Sequence, residues 1–111
     1  MVLRTSRLGR LNRDPAPEIV FLGSSGGIQI PAFFCSCEVC EAARRDPSQR
    51  RTRASLALIG REITLIDATP DLEFQLEREG IRQVHRIFIT HWHYDHVWGL
   101  GCLGESSSCA R

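Results

Sequence analysis

The feature that most constrains this chain is the six-residue segment HWHYDH at 91–96, which directly follows an apolar run at 87–89. The chain contains four histidines, so three of them within six residues are not background composition. An apolar run of this kind predicts a buried strand, and ligands of α/β folds collect beyond the carboxyl ends of strands. The segment therefore predicts an α/β fold with metal-ligating side chains at the end of the last strand.

The remaining pattern predicts two packed layers of strands and helices, an α/β or α+β sandwich. Apolar runs at 19–22, 54–59, 63–66 and 84–89 predict strands, and the middle two form a hairpin across the turn at 60–62. Residues 90–96 are predicted to be a polar loop.

Two helices are predicted between these strands. A short one covers Val39 to Arg45. A second begins after Thr69 as N-cap, with Pro70 and Asp71 in its first turn, and stops at Gly80.

Length and composition indicate one ordinary globular domain. The chain has 111 residues, 42% of them hydrophobic and 24% charged, with a net charge of +1 that indicates no partner. Its apolar runs are shorter than the roughly 18 residues that a membrane span needs. The start lacks the apolar region of a signal peptide, so a cytoplasmic location and no membrane partner are expected. Residues 1–17 are Arg-rich and predict a disordered leader or a misplaced start codon, with an organelle presequence as the alternative, and residues 18–111 are expected to form the folded part.

Imidazole and carboxylate groups in one loop suit divalent metal ions. In an extended backbone His91 and His93 project to one side and can share one ion. Asp95 and His96 follow a turn and can reach a second ion. Two ions ~3.5–4 Å apart form a clamp that activates water for ester hydrolysis.

Cys35, Cys37 and Cys40 form a second candidate site. Thiolates suit Zn, and structural zinc sites usually have four ligands. The sequence offers no fourth ligand nearby, although Cys102 and Cys109 are further donors. Free buried thiols or a redox pair remain alternatives.

Residues 87–100 resemble the HxHxDH signature of the metallo-β-lactamase superfamily. The resemblance implies that His91 and His93 bind metal site one, and that Asp95 and His96 bind site two. It also implies that Asp67, at the end of an earlier strand, supports the metal loop, although Asp67 can equally cap the following helix.

A Gly/Ser-rich loop at 23–27, CxCxxC at 35–40, an Arg-rich stretch and HxHxDH together resemble the phosphoribosyl 1,2-cyclic phosphate phosphodiesterase branch, to which the quinone-cofactor biosynthesis B-type proteins are related. The resemblance implies two catalytic ions, Mn or Zn, and one structural Zn on the three cysteines. It covers about 18–104, the N-terminal half of a four-layer αββα sandwich. The remaining ligands would follow Arg111, so we expect a fragment with one bare apolar sheet face and little activity of its own.

The expected function is a metal-dependent hydrolase, a phosphodiesterase in which metal-bound hydroxide attacks the phosphorus of a small cyclic phosphate. Asp95 is the expected catalytic residue because it can also orient water. Arg50, Arg53 and Ser55 are candidates for contacting the substrate phosphate, with a solvated turn as the alternative. A small phosphorylated substrate is the expected partner, a homodimer is left open and no nucleic acid is expected. Alternatives are an RNA-processing hydrolase of the same fold, a non-catalytic zinc module and an inactive remnant.

Overall fold

The structure is a computed structural model that describes residues 2–4 and 16–103, the first three through their backbone alone. Five strands form one sheet in the spatial order β1-β2-β3-β4-β5. In chain order the elements are β1 (Val2–Arg4), β2 (Glu18–Gly23), α1 (Glu38–Arg45), a 3-10 turn (Pro47–Gln49), β3 (Ser55–Ile59), β4 (Ile63–Ile66), α2 (Leu72–Glu79), β5 (Arg86–Phe88) and α3 (Tyr94–Val97).

The last two strands position the histidine-rich stretch at residues 91–96, called the polar segment below. β1 to β4 are antiparallel neighbours, whereas β5 runs parallel to β4. A parallel pair needs a crossover connection, and α2 lies within it. The carboxyl ends of β4 and β5 therefore lie at the same edge, where the N–H of Asp67 donates to the carbonyl of Phe88 at 2.8 Å.

One face of the sheet packs against α2. The strand register aligns Val20, Ala57 and Leu65 in one row, and all three are buried. Leu72 of α2 joins the same buried cluster. Fully burying a leucine contributes about 1.5–3 kcal/mol, so this packing fixes the β4-α2-β5 unit that carries the polar segment.

The opposite face carries a second apolar row. The register aligns Phe21, Leu56, Ile66 and Phe88 across four strands. Phe88 is 58% exposed, and the other three are half-buried. This row is the partly bare sheet face that the half-sandwich prediction expects.

The predicted elements are present with shifted ends. The predicted hairpin is β3–β4, and Gly80 ends α2 in the left-handed conformation with φ 68°. α2 begins at Leu72, later than predicted, with Asp71 at the N-cap. The hydroxyl of Thr69 accepts a hydrogen bond from the N–H of Asp71, which forms a turn ahead of the helix.

Two predictions beside the polar segment are wrong in extent. The strand predicted at 84–89 is reduced to the three residues of β5. The chain then turns away because the N–H of Thr90 donates to the Asp67 carboxylate. The loop predicted to run through residue 96 ends earlier, at Tyr94, where α3 begins.

The N-terminal segment differs from the leader prediction at one place. Val2–Arg4 forms β1, antiparallel to β2, where the prediction expected no regular structure. The pairing satisfies backbone groups along an edge of β2 that would otherwise be unpaired in the sheet. The segment at 5–15 lies outside the described residues, so the division of the chain at residue 18 stays a prediction.

Candidate metal centre

The three histidines of the polar segment lie together at the end of β5. The ring centroids of His91 and His93 are 4.4 Å apart, and those of His91 and His96 are 4.0 Å apart. His93 is the last extended residue before α3, whose first turn carries Asp95 and His96. The turn into α3 therefore brings the second pair of predicted ligands back toward the first pair.

His96 lies between two carboxylates. Its Nδ1 is 2.7 Å from Oδ2 of Asp67, and its Nε2 is 3.0 Å from Oδ2 of Asp95. A carboxylate that holds one ring nitrogen of a histidine fixes the ring orientation and directs the other nitrogen to a metal. Asp67 is thus placed where the resemblance requires a supporting residue.

Asp67 is itself tightly held. Its backbone adopts the left-handed conformation with φ 68°, which is uncommon for a non-glycine residue. Its Oδ1 accepts hydrogen bonds from the N–H and the hydroxyl of Thr90 at 2.7 and 3.0 Å. Burial raises the pKa of the Asp67 carboxyl, but the hydrogen bonds from Thr90 and His96 outweigh burial and leave that pKa below its ordinary value.

The histidine and aspartate side chains of the polar segment contact one another in pairs, but their ligand atoms are not gathered around one common point. Within residues 16–103, only one group of three His, Cys, Asp or Glu side chains has ligand atoms that all lie within 4.8 Å of one another. That group is formed by the cysteines and not by residues 91–96. The Nδ1 of His91 also contacts the hydroxyl of Thr90 at 2.9 Å. The donor types fit a divalent ion, and their ligand atoms would have to move closer together to surround one.

Cys35, Cys37 and Cys40 form that closed group. Cys37 is the N-cap of α1, and its Sγ accepts a hydrogen bond from the N–H of Cys40 at 3.5 Å. The side chain of Arg44 donates to the carbonyls of Ala32 and Cys35 at 2.9 and 2.5 Å, which pins the loop before the helix. Local structure therefore brings the three sulfurs together.

The thiols of this cluster differ in acidity. The N–H of Cys40, together with the neighbouring thiols, lowers the pKa of Cys37 to about 7. The N–H of Ala32 lowers the pKa of Cys40, but burial and the thiols of Cys35 and Cys37 raise it above its ordinary value. A low thiol pKa favours the thiolate that zinc binds. Cys102 is not part of the cluster, and Cys109 lies outside the described residues.

The three candidates for phosphate binding have partners within the fold. The Nε of Arg50 donates to the carbonyl of Ala43, and the side chain of Arg53 donates to Asp71. The buried hydroxyl of Ser55 lies 3.0–3.1 Å from the carbonyls of two residues at the end of β4. The prediction for Ser55 is therefore not supported, because its hydroxyl hydrogen is used within the sheet, while those for Arg50 and Arg53 stay predictions.

Sequence reasoning did not assign Thr90, Asp71 and Gly27 the contacts that they make in this region. Thr90 holds Asp67, Asp71 holds Arg53, and Gly27 faces Asp95, since a Cβ built on Gly27 would lie 3.6 Å from Cγ of Asp95. The position of Thr90 directly before HxH was a signal that could have been used. The other two contacts join residues far apart in sequence and leave no local pattern.

A comparison with protein-family models matches residues 50–110 to the metallo-beta-lactamase superfamily. The match covers more than half of the chain and contains the whole polar segment. The chain belongs to the metallo-beta-lactamase superfamily. The fold of this superfamily binds divalent metals, which agrees with the donor types at 91–96 and with the three-cysteine cluster.

Curated superfamily relatives include proteins of different activities. The chain is 39% identical over 87 residues to an octanoyltransferase of Porphyromonas gingivalis, covering 76% of this chain and 17% of that protein. It is 36% identical over 100 residues to coenzyme PQQ synthesis protein B of Methylobacterium radiotolerans, covering 78% of this chain and 33% of that protein. The chain thus spans a third or less of these relatives.

Two solved structures share the fold. A diphosphatase from the PhnP family superposes with a TM-score of 0.72 and 34% identity, covering 93% of this chain and 35% of that one. Zinc-bound PqqB from Methylobacterium extorquens superposes with a TM-score of 0.71 and 28% identity, covering 77% of this chain and 33% of that one. Both support the predicted fold class, in which this chain corresponds to one part of the full sandwich.

None of the helices in the described residues is long and apolar enough to cross a membrane.

Proposed function

We propose that this chain supplies ligands to the metal centre of a phosphodiesterase that hydrolyses a small cyclic phosphate. The observation that carries the proposal is the grouping of His91, His93, Asp95 and His96 at the carboxyl edge of the sheet, with Asp67 holding His96. This edge is where α/β folds place their reactive groups.

The four side chains divide into two pairs. His91 and His93 would hold one ion, and Asp95 and His96 a second, with Mn or Zn in both positions. Two bound ions supply a water of lowered pKa and stabilise the charge that develops at phosphorus. With an ion bound, Asp67 would accept the hydrogen bond from Nδ1–H of His96 and so leave Nε2 for the metal. Asp95 is the group that would also orient water, because it lies beside that nitrogen.

The choice of a phosphate ester rests on similarity. The structural neighbour with 34% identity is a diphosphatase of the PhnP family, and the polar segment of this chain carries all four HxHxDH residues. A phosphorylated small molecule is therefore the proposed substrate. Arg50 and Arg53 stay the proposed phosphate contacts from this part of the chain.

A second candidate is a zinc module without catalysis. It is favoured by the three-cysteine cluster, whose sulfurs already lie within 4.8 Å of one another. Under both proposals the cysteines bind one structural Zn, so zinc content alone does not separate the two. The separation comes from whether the residues at 91–96 bind metal and support hydrolysis.

The deciding experiment places this chain in a complete fold. A chimaera is built in which this chain replaces the matching third of the PhnP-family diphosphatase. We expect it to hydrolyse bis-p-nitrophenyl phosphate with Mn or Zn. The Asp95→Asn chimaera should lose that activity and keep its cysteine-bound zinc, whereas Arg82→Lys, an exposed control, should keep both.

Two outcomes would overturn the proposal. One is a folded, metal-loaded chimaera whose hydrolysis is unchanged by Asp95→Asn. The other is a folded chimaera with zinc on the cysteines alone and no hydrolysis, which would favour the zinc module.

A further inference from the structure

Arg53 donates three hydrogen bonds that join distant parts of the fold. Its Nη1 donates to Oδ1 of Asp71, and its backbone N–H donates to Oδ2 of the same carboxylate, both at 2.9 Å. Its Nε donates to the carbonyl of Gly27, also at 2.9 Å. The Arg53 side chain is 17% exposed, and that of Asp71 is 11% exposed. The planar guanidinium thus links the start of α2 to the Gly-rich loop at 23–27.

The Gly-rich loop forms a wall beside Asp95. Its first half is fixed because the N–H groups of Ser24 and Ser25 donate to the carbonyl of Thr52 at 3.0 and 2.9 Å. Its second half reaches Asp95, since a Cβ on Gly27 would lie 3.6–3.8 Å from the carboxylate atoms. The carbonyl of Gly27, which Arg53 holds, belongs to this second half.

Residues 67–71, which include the Arg53 partner Asp71, also hydrogen-bond to the backbone in α3 and just after it. The N–H of Ala68 donates to the carbonyl of His96 at 2.8 Å, and the N–H of Gly99 donates to the carbonyl of Ala68 at 2.9 Å. A Cβ on Gly99 would lie 2.2 Å from the carbonyl oxygen of Thr69, so the approach is close. Residues 67–71 therefore hold the backbone that carries Asp95 directly, and the Gly-rich loop beside Asp95 through Arg53.

We propose that Arg53 is a positioning residue that limits the orientations open to the Asp95 carboxylate by holding the Gly27 backbone beside it. The proposal rests on the proposed function, because it treats Asp95 as a metal ligand. It gives the Asp71–Arg53 pair a role at the metal centre that does not depend on contact with metal or substrate. Changing an outer-shell partner of a metal ligand typically lowers metal affinity about 10–100-fold, and this less direct link should lie near tenfold.

Lysine cannot reproduce this arrangement. The guanidinium places Nε and Nη1 at fixed separation, so that it reaches Gly27 and Asp71 at once, whereas the ammonium of lysine is a single charged point on a flexible stem. Arg53→Lys can therefore restore the ion pair with Asp71 while losing the fixed contact to Gly27. A purely structural role predicts that lysine rescues both stability and the metal centre, and a positioning role predicts rescue of stability alone.

The test uses the full 111-residue chain with Arg53→Lys, Asp71→Asn, the double variant and the exposed control Arg82→Lys. In the metal-free chain, nitrogen NMR follows Nε2 of His96, which contacts Asp95, and thermal unfolding follows stability. Cobalt bound to thiolates also absorbs in the visible, so the cysteine cluster is first filled with one equivalent of zinc, which has no d–d bands. Visible d–d absorption on adding cobalt then follows the site at 91–96, and zinc retained on the cysteines is the internal reference.

We expect Arg53→Lys to shift the Nε2 signal and weaken cobalt binding at 91–96 about tenfold, with the zinc retained on the cysteines and the melting temperature close to those of Arg82→Lys. Asp71→Asn should act in the same direction, and the double variant should add little. If Arg53→Lys fails to fold, Gly27→Ala serves instead, because its methyl group would touch the Asp95 carboxylate and should shift the same signal.

The proposal is overturned if folded Arg53→Lys, or in its place Gly27→Ala, leaves both the Nε2 signal and the cobalt affinity unchanged. Failure of the proposed function has a different signature. In that case the His91→Ala and Asp95→Asn variants show the same d–d absorption as the wild-type chain, whatever Arg53→Lys does to the Nε2 signal.

Discussion

The two candidate metal sites of this chain are built in different ways. Cys35, Cys37 and Cys40 lie within six residues on one loop and the start of one helix, and their sulfurs already lie within 4.8 Å of one another. The residues at 91–96 are equally close in sequence, yet their ligand atoms meet only in pairs. Sequence spacing alone therefore does not decide whether a site is preformed.

The difference lies in what holds the ligands. The cysteine cluster is fixed by local contacts, namely the cap of α1 and the carbonyl contacts of Arg44. The polar segment depends on long-range contacts, above all on Asp67, which is 29 residues away from His96 in sequence. A site assembled over such distances needs the packed sheet before its ligands can converge.

The largest expected effect is removal of a cysteine ligand. Cys37→Ser should lower zinc affinity by more than the roughly 10–100-fold typical of an outer-shell change, because a thiolate and the cap of α1 are both altered. Competition with a zinc chelator measures the affinity. Cys102→Ser is the matched control and should bind zinc as the wild type does. Equal affinities in both variants would show that the cluster is not a zinc site.

The substitution Asp67→Asn is expected to cause a large loss of metal affinity at residues 91–96 and none at the cysteine cluster. Asparagine tolerates the left-handed conformation but cannot act as the carboxylate partner of His96. Metal affinity at 91–96 should fall about 10–100-fold, while zinc on the cysteines is unchanged. Cobalt titration of the chain whose cysteines already hold zinc, followed by d–d absorption, measures the first, and the zinc retained on the cysteines measures the second. Parallel losses at both sites would mean that the substitution damages the fold and not the metal centre alone.

A smaller effect should follow from loosening the cysteine loop. Arg44→Gln removes a cation that donates to the carbonyls of Ala32 and Cys35 and pairs with Glu41. Zinc affinity should fall by about tenfold, the low end for an outer-shell change, because the side chain is partly exposed. Arg45→Gln, on the same exposed turn of α1, is the control. An unchanged chelator titration for Arg44→Gln would show that the helix cap alone organises the cluster.

The features that could be predicted from the sequence are those made by local contacts, and the features that could not are made by long-range contacts. The hairpin, the stop at Gly80 and both ligand-rich segments carry local signals in periodicity, turn residues or spacing. The contacts of Arg53 with Asp71 and Gly27 span 18 and 26 residues, and no periodic pattern marks them. Sequence reasoning accordingly found the ligands and, through the resemblance, Asp67, but not the other residues that hold them.

The smallest expected effect concerns the turn that follows the cysteine helix. Asp46 accepts hydrogen bonds from the N–H and hydroxyl of Ser48, and these hold the pKa of the Asp46 carboxyl below its ordinary value. Because the folded-state pKa lies below the unfolded one, about 3.9, this contribution to stability is complete above that value and is lost as the pH falls through the folded pKa. The amide NMR signal of Ser48 should therefore titrate with a midpoint below about 3.9, and Asp46→Asn should abolish the transition. A midpoint at or above the ordinary value would mean that the local contacts on the cysteine side of the molecule are weaker in solution than the structure indicates.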